Sequence, residues 1–162
     1  MSIKPKIFFY NAGQINNHVN QCFNFGELPA PFRYGIYIVK QKTISPYYRV
    51  GAGGVNGGQK GVEGRLKIHI KPNEDEAVIS QFYPIWAVEF SGGNDENLCM
   101  ITRICEHIVF GEFGTFAKAV KREKGQKWRD SLFETPTIND DEIIRKMNGL
   151  EDVFSKVVSV QS

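Results

Sequence analysis

Between Gly51 and Gly64 the chain reads GAGGVNGGQKGVEG, and seven of these fourteen residues are glycine. Glycine gives up more backbone freedom on ordering than any other residue, so a half-glycine stretch resists both helix and strand. The whole span is expected to be loop, and it divides the chain into two unlike parts.

Before it lie YGIYIVK and YYRVG, two runs of β type separated by QKTISP with its turn-forming Pro46. They read as an antiparallel hairpin with a six-residue connection. After it comes GRLKIHIKP, stopped by Pro72, then a strand over Tyr83–Phe90 and a turn at SGGND. With Asn94 or Asp95 as N-cap, Leu98, Ile101, Ile104, Cys105 and Ile108 form the stripe of a helix running to about Phe110. Upstream, IKPKIFFY (residues 3–10) looks like a short strand, and Ile15, Val19, Cys22 and Phe23 have the spacing of an amphipathic helix rich in asparagine. Pro29 and Pro31 hold the segment ELPAPFR extended. Two helices close the chain, and in the last Leu150, Val153, Phe154, Val157 and Val158 keep helical spacing. Strands and helices mix without βαβ alternation, so the class is α+β.

The 162 residues suit one domain, and 41% hydrophobic against 23% charged residues leaves enough apolar material for a core. No apolar run approaches the ~18 residues of a membrane span. The apolar run near the N-terminus, Ile7–Tyr10, is too short for the core of a signal peptide, so an intracellular protein is expected. Three cysteines without a CxxC pair and only three histidines argue against a disulfide framework or a zinc site. A net charge of +2 permits nucleic-acid binding without demanding it.

The glycine stretch invites a phosphate-binding reading and does not support it. Gly53 and Gly58 have Walker spacing, but Gln59 and Lys60 follow where Lys and Ser or Thr are needed. Gly51 and Gly53 begin a dinucleotide fingerprint, but Asn56 takes the place of its third glycine. Chemistry-bearing residues lie elsewhere. Arg65 and His69 are four apart and share a face on either a helix or a strand, although the alternation of Leu66, Ile68 and Ile70 by itself favours strand. Glu106 sits inside a helix, off its apolar stripe, with Glu89 and Glu112 as weaker acidic candidates. Tyr34, Tyr37, Tyr47 and Tyr48 crowd the hairpin. Lys118, Lys121, Arg122, Lys124, Lys127 and Arg129 make a basic run suited to phosphates, diluted by Glu123 and Asp130.

The order of these features resembles the GIY-YIG nuclease family. Gly35-Ile36-Tyr37 matches the first motif literally, and Tyr48-Arg49-Val50-Gly51 is a looser version of the second, with Arg49 in the place where a phage-associated branch carries Lys. Arg65 and His69 match the family's R-x-x-x-H, and Glu106 its single acidic residue. The resemblance covers roughly Tyr34–Lys121, about half the chain. It implies a small antiparallel three-stranded sheet flanked by helices, with Arg65–Lys71 helical. Within a single domain of residues 1–162, the nuclease-like core would span 34–121, with an N-terminal extension at 1–33 and a helical C-terminal extension at 122–162. The implied activity is metal-dependent hydrolysis of DNA. Tyr37 would be general base, Tyr48 or Arg49 would fill the second motif position, Arg65 and His69 would hold the phosphate, and Glu106 would bind Mg²⁺ or Mn²⁺. RNA stays open as a substrate, as does a homodimer. The alternatives on the same fold are a module that binds nucleic acid without cutting it and a protein-interaction domain docking through Leu150–Val158.

Overall fold

A computed structural model describes residues 5–17, 33–41, 47–55, 61–70, 82–120, 132–134 and 136–161. Its sheet is built outward from the hairpin. Strands β2 (Tyr34–Gln41) and β3 (Tyr47–Gly53) pair antiparallel, with Tyr37 opposite Gly51 and Lys40 opposite Tyr48. On the other side of β2 lies β4 (Phe82–Ser91), again antiparallel, with a register shift between Ile38 and Val39. This is the expected three-stranded sheet, but it is not the whole sheet. From the N-terminal extension β1 (Lys6–Asn11) adds to β4, and from the C-terminal extension β5 (Leu132–Glu134) adds to β3. The order is β1-β4-β2-β3-β5, five strands among the described residues, so both extensions contribute to the sheet.

Helices cover both faces. A helical segment over residues 12–17 (α1) is opened by Asn11, whose side chain accepts the Gln14 N–H at 3.2 Å while Gln14 Oε1 accepts the Asn11 N–H at 3.0 Å. Next comes α2 (Val62–Ile70). Then α3 (Asp95–Phe113) starts at Asn94, whose side chain accepts the Asn97 N–H at 2.8 Å. The C-terminal pair is α4 (Asp140–Asn148), capped by Asn139, and α5 (Glu151–Gln161). Among the described residues no helix is long and apolar enough to cross a membrane.

The glycine stretch is shorter as a loop than expected. Strand β3 runs on to Gly53 and α2 begins at Val62, which leaves 54–61 as the connection. The reason lies at Gly53, where a Cβ would collide with the backbone at Gly61 and Val62: its missing side chain lets the start of α2 settle on the strand. Val62 N–H donates to the Arg33 carbonyl at 3.2 Å, tying the start of α2 to the residue that leads into β2. Helix α2 overrides the alternation of its apolar residues because Val62 and Leu66, four apart, are both fully buried against the sheet.

The two faces of the sheet differ in character. Toward α3, α4 and α5 lies the main apolar core, with Ile36, Ile38, Val50, Trp86 and Phe90 from the strands and Ile101, Cys105, Val109 and Phe154 from the helices. Leu150, Phe154 and Val158 of the last stripe are spent in this core, while Val153 remains 39% exposed. A polar latch holds α4 to the strands. Tyr48 O–H donates to Asp140 Oδ1 at 2.5 Å, and Lys40 Nζ reaches the same carboxylate at 3.1 Å. Toward α1 and α2 lies a smaller cluster of Ile15, Tyr37, Val39, Val62, Leu66, Ala87 and Leu132.

Tyr48→Phe removes a hydrogen bond to a charged acceptor and leaves the buried ring in place, so it is expected to cost about 1–2 kcal/mol. In a chain of this length that is a fall in Tm of several degrees by thermal denaturation.

Candidate active site

Side chains alternate along a strand, so residues two apart share a face. With Tyr37 opposite Gly51, the residue of β3 that joins Tyr37 on its face is Arg49, opposite Val39. Tyr48 is opposite Lys40 on the other face, 1% exposed, with its hydroxyl bonded to Asp140. Burial and then Asp140 push its phenol pKa well above the ordinary value. Of the two residues that could take the second motif position, Arg49 stands beside Tyr37 and Tyr48 does not.

Gly51 is what allows Tyr37 its position. A Cβ at residue 51 would collide with the Tyr37 hydroxyl and ring, so the phenol lies across the bare backbone of β3. The pairing of β5 stops at Arg49, opposite Leu132. Among the described residues the outer edge of the glycine end of β3 therefore has no strand beside it. Arg65 is carried by α2 on one face of the sheet and Glu106 by α3 on the other. Burial raises the pKa of Tyr37; the Arg49 and Arg65 guanidiniums pull it down and the Glu106 carboxylate pushes it up, so all three charges lie within electrostatic reach of the phenol. Burial outweighs both arginines, contrary to what their number suggests from the sequence.

Glu106 is half-buried on α3, and burial lifts its carboxyl above the ordinary range, while His107, Arg65 and Arg103 each favour the ionised form. Among the described residues no group of three or more His, Cys, Asp or Glu side chains is gathered to hold a metal. A cage is not what Mg²⁺ needs, since it keeps several waters and takes one or two carboxylates plus substrate oxygens. Glu106 offers one such carboxylate, half-buried on α3. His69 lies one turn beyond Arg65 in α2, but its side chain is outside the described part. Lys118 is exposed, and its carbonyl accepts the Glu134 N–H at 2.8 Å. Lys121, Arg122, Lys124, Lys127 and Arg129 lie outside the described residues.

The sequence reading of the site missed one residue outright and the reason for another. Gly51 was legible as a motif position, without the reason for it. Arg103, whose Nη2 donates to the Val55 carbonyl at 2.8 Å one turn from Glu106, carries no local signal beyond its spacing.

The α2 side carries two buried acids, Glu63 and Glu89. Glu89, 2% exposed, accepts from the Tyr10 hydroxyl at 3.1 Å through Oε1. Burial raises its pKa above the ordinary 4.5, and the Tyr10 bond acts the other way. A carboxyl whose folded pKa is raised stabilises the fold below its unfolded pKa and loses that contribution as pH rises through the folded one. Glu89→Gln should therefore flatten the decline of stability above pH 4.5 and leave the protein more stable at neutral pH, as read by chemical denaturation at several pH values.

Gly51→Ala is expected to cost about 1–3 kcal/mol, because the buried ring of Tyr37 has to move. In a Tyr37→Leu background the same substitution should cost less than half as much, and the double-mutant cycle measured by denaturation reads that difference.

In comparisons with known proteins, the chain matches no family model, no curated protein and no solved structure.

Proposed function

We propose that the protein is a metal-dependent endonuclease that hydrolyses phosphodiester bonds in DNA. The observation that carries this reading is the meeting of Tyr37, Arg49, Arg65 and Glu106, from four separate elements, around the glycine end of β3. The resemblance of their order along the chain to the GIY-YIG motifs gives it a second, independent support.

In this reading Tyr37 takes a proton from the attacking water. Arg65 grips the scissile phosphate through its planar fork, and Arg49 adds a second positive contact on the same face. His69, one turn from Arg65, bonds a phosphate oxygen or steers the phenol. Glu106 holds Mg²⁺ or Mn²⁺, which when bound relieves charge on the phosphate and the leaving oxygen. Lys118, Lys121, Arg122, Lys124 and Lys127 track the backbone of the nucleic acid. Tyr48 has no catalytic part, since its hydroxyl serves the α4 latch on the opposite face.

The test is incubation of purified protein with supercoiled plasmid and Mg²⁺. Nicking or linearisation is expected that stops in EDTA, is lost in Tyr37→Phe and Glu106→Ala, and survives in Tyr48→Phe. Because burial holds the Tyr37 pKa above its ordinary value of 10, the phenolate is a minor species at pH 7. The rate should climb by up to about tenfold per pH unit through roughly pH 7–9 without levelling. A flat profile there removes tyrosine as the base, and cleavage untouched by Glu106→Ala removes the carboxylate from the site.

A further inference from the structure

The guanidinium of Arg103 belongs to no core and no ion pair among the described residues, yet it is held in place. It is exposed on α3, three residues before Glu106 and therefore on the same side of the helix. Its Nη2 donates to the carbonyl of Val55, the second residue of the connection that follows β3. Four residues earlier on the helix, Cys99 Sγ sits 3.5 Å from the same oxygen. An arginine carries five N–H donors in a fixed fork, and one is used here. Fixing a carbonyl in water needs neither a charge nor a fork, and an exposed hydrogen bond of this kind stabilises little. The anchoring does something else: it removes the rotamer freedom that a long cation otherwise loses when it meets its ligand.

We infer that Arg103 is a substrate-binding residue of the proposed nuclease site, presenting its remaining donors to a non-bridging oxygen of a DNA phosphate next to the one that is cut. The inference rests on the nuclease reading and deepens it. Arg49 and Arg65 stand with Tyr37 on the α2 side of the glycine edge, whereas Arg103 stands with Glu106 on the α3 side, so the three cations flank the edge from both faces. A strand running past that edge then meets positive charge before and after the scissile position. The Val55 carbonyl sets the direction of the Arg103 fork, and the exit of β3 is thereby made part of the binding surface.

The experiment uses Arg103→Gln, whose side-chain amide keeps a donor for the Val55 carbonyl and loses the charge, beside Arg103→Lys, which keeps the charge and loses the fork. Affinity for a defined duplex oligonucleotide is measured in EDTA across a salt series, and plasmid cleavage is followed in Mg²⁺. Arg103→Gln is expected to lower the slope of log affinity against log salt by about one, the share of one phosphate contact. It should raise KM severalfold with kcat little changed, and Arg103→Lys should restore the slope but not the full affinity. Wild-type slope and KM in Arg103→Gln, in a protein whose wild type binds and cuts, overturn the inference and leave Arg103 as a tether for Val55. A wild type that neither binds nor cuts overturns the nuclease reading itself, and this inference with it.

Discussion

Everything at the candidate site depends on one close approach, the Tyr37 ring over the backbone of Gly51. A side chain at residue 51 and a phenol at residue 37 cannot share that space. With glycine there, the hydroxyl lies over Gly51 itself, and because β5 pairs only as far as Arg49 the outer edge of β3 is open at this point among the described residues. A sheet normally keeps its two faces apart. Here Arg65 from α2 on one face and Glu106 from α3 on the other both act on the phenol that lies over Gly51.

The faces then divide the work. The α3 side carries the bulk of the apolar core, and its long helix is fixed by Leu98, Ile101, Cys105, Val109 and Phe113, which leaves Glu106 on its flank. The α2 side is thinner and polar, with Tyr10, Glu63, Glu89, Tyr37 and Arg49 among its small apolar cluster. Burying carboxylates and phenols there is costly unless hydrogen bonds and charges offset the lost solvation. The latch of Tyr48, Lys40 and Asp140 belongs to the other side and anchors the C-terminal helices to the same two strands that carry Tyr37 and Arg49. Stability and site geometry therefore meet in one hairpin.

Much of the fold was legible in local pattern. The hairpin, β4, the helix opened by Asn94 and the two C-terminal helices follow from β-type runs, caps and helical spacing, because in each case local and tertiary preferences agree. The alternation through Leu66, Ile68 and Ile70 misled because the partner of Leu66 is Val62, hidden inside the glycine stretch. Two strands were missed as members of the sheet. The pairing of β1 with β4 spans about half of the chain, and β5 is three residues long. Which of Tyr48 and Arg49 shares the face of Tyr37 turned on register alone. A symmetric six-residue connection would pair Lys40 with Tyr47 and put Tyr48 on the face of Tyr37. The observed pairing of Lys40 with Tyr48 shifts β3 by one residue, and a shift of one exchanges every side chain between faces.

The electrostatics of the edge tie its two ends together. Charging a phenol of ordinary pKa at pH 7 costs about 4 kcal/mol. At Tyr37 burial adds to that cost, the two arginines remove less than burial adds, and the Glu106 carboxylate works against ionisation from the far side. The negative charge that suits Glu106 to hold a cation is thus one of the charges that keep the proton on Tyr37. A cation held at Glu106 cancels that opposition, so gathering positive charge at α3 and releasing a proton at β2 favour each other through the field alone. Coupling of this kind is reciprocal. This arrangement holds the Tyr37 phenol neutral while Glu106 is bare and favours release of its proton once that charge is met, which is a property of the arrangement around Gly51 rather than of any one side chain.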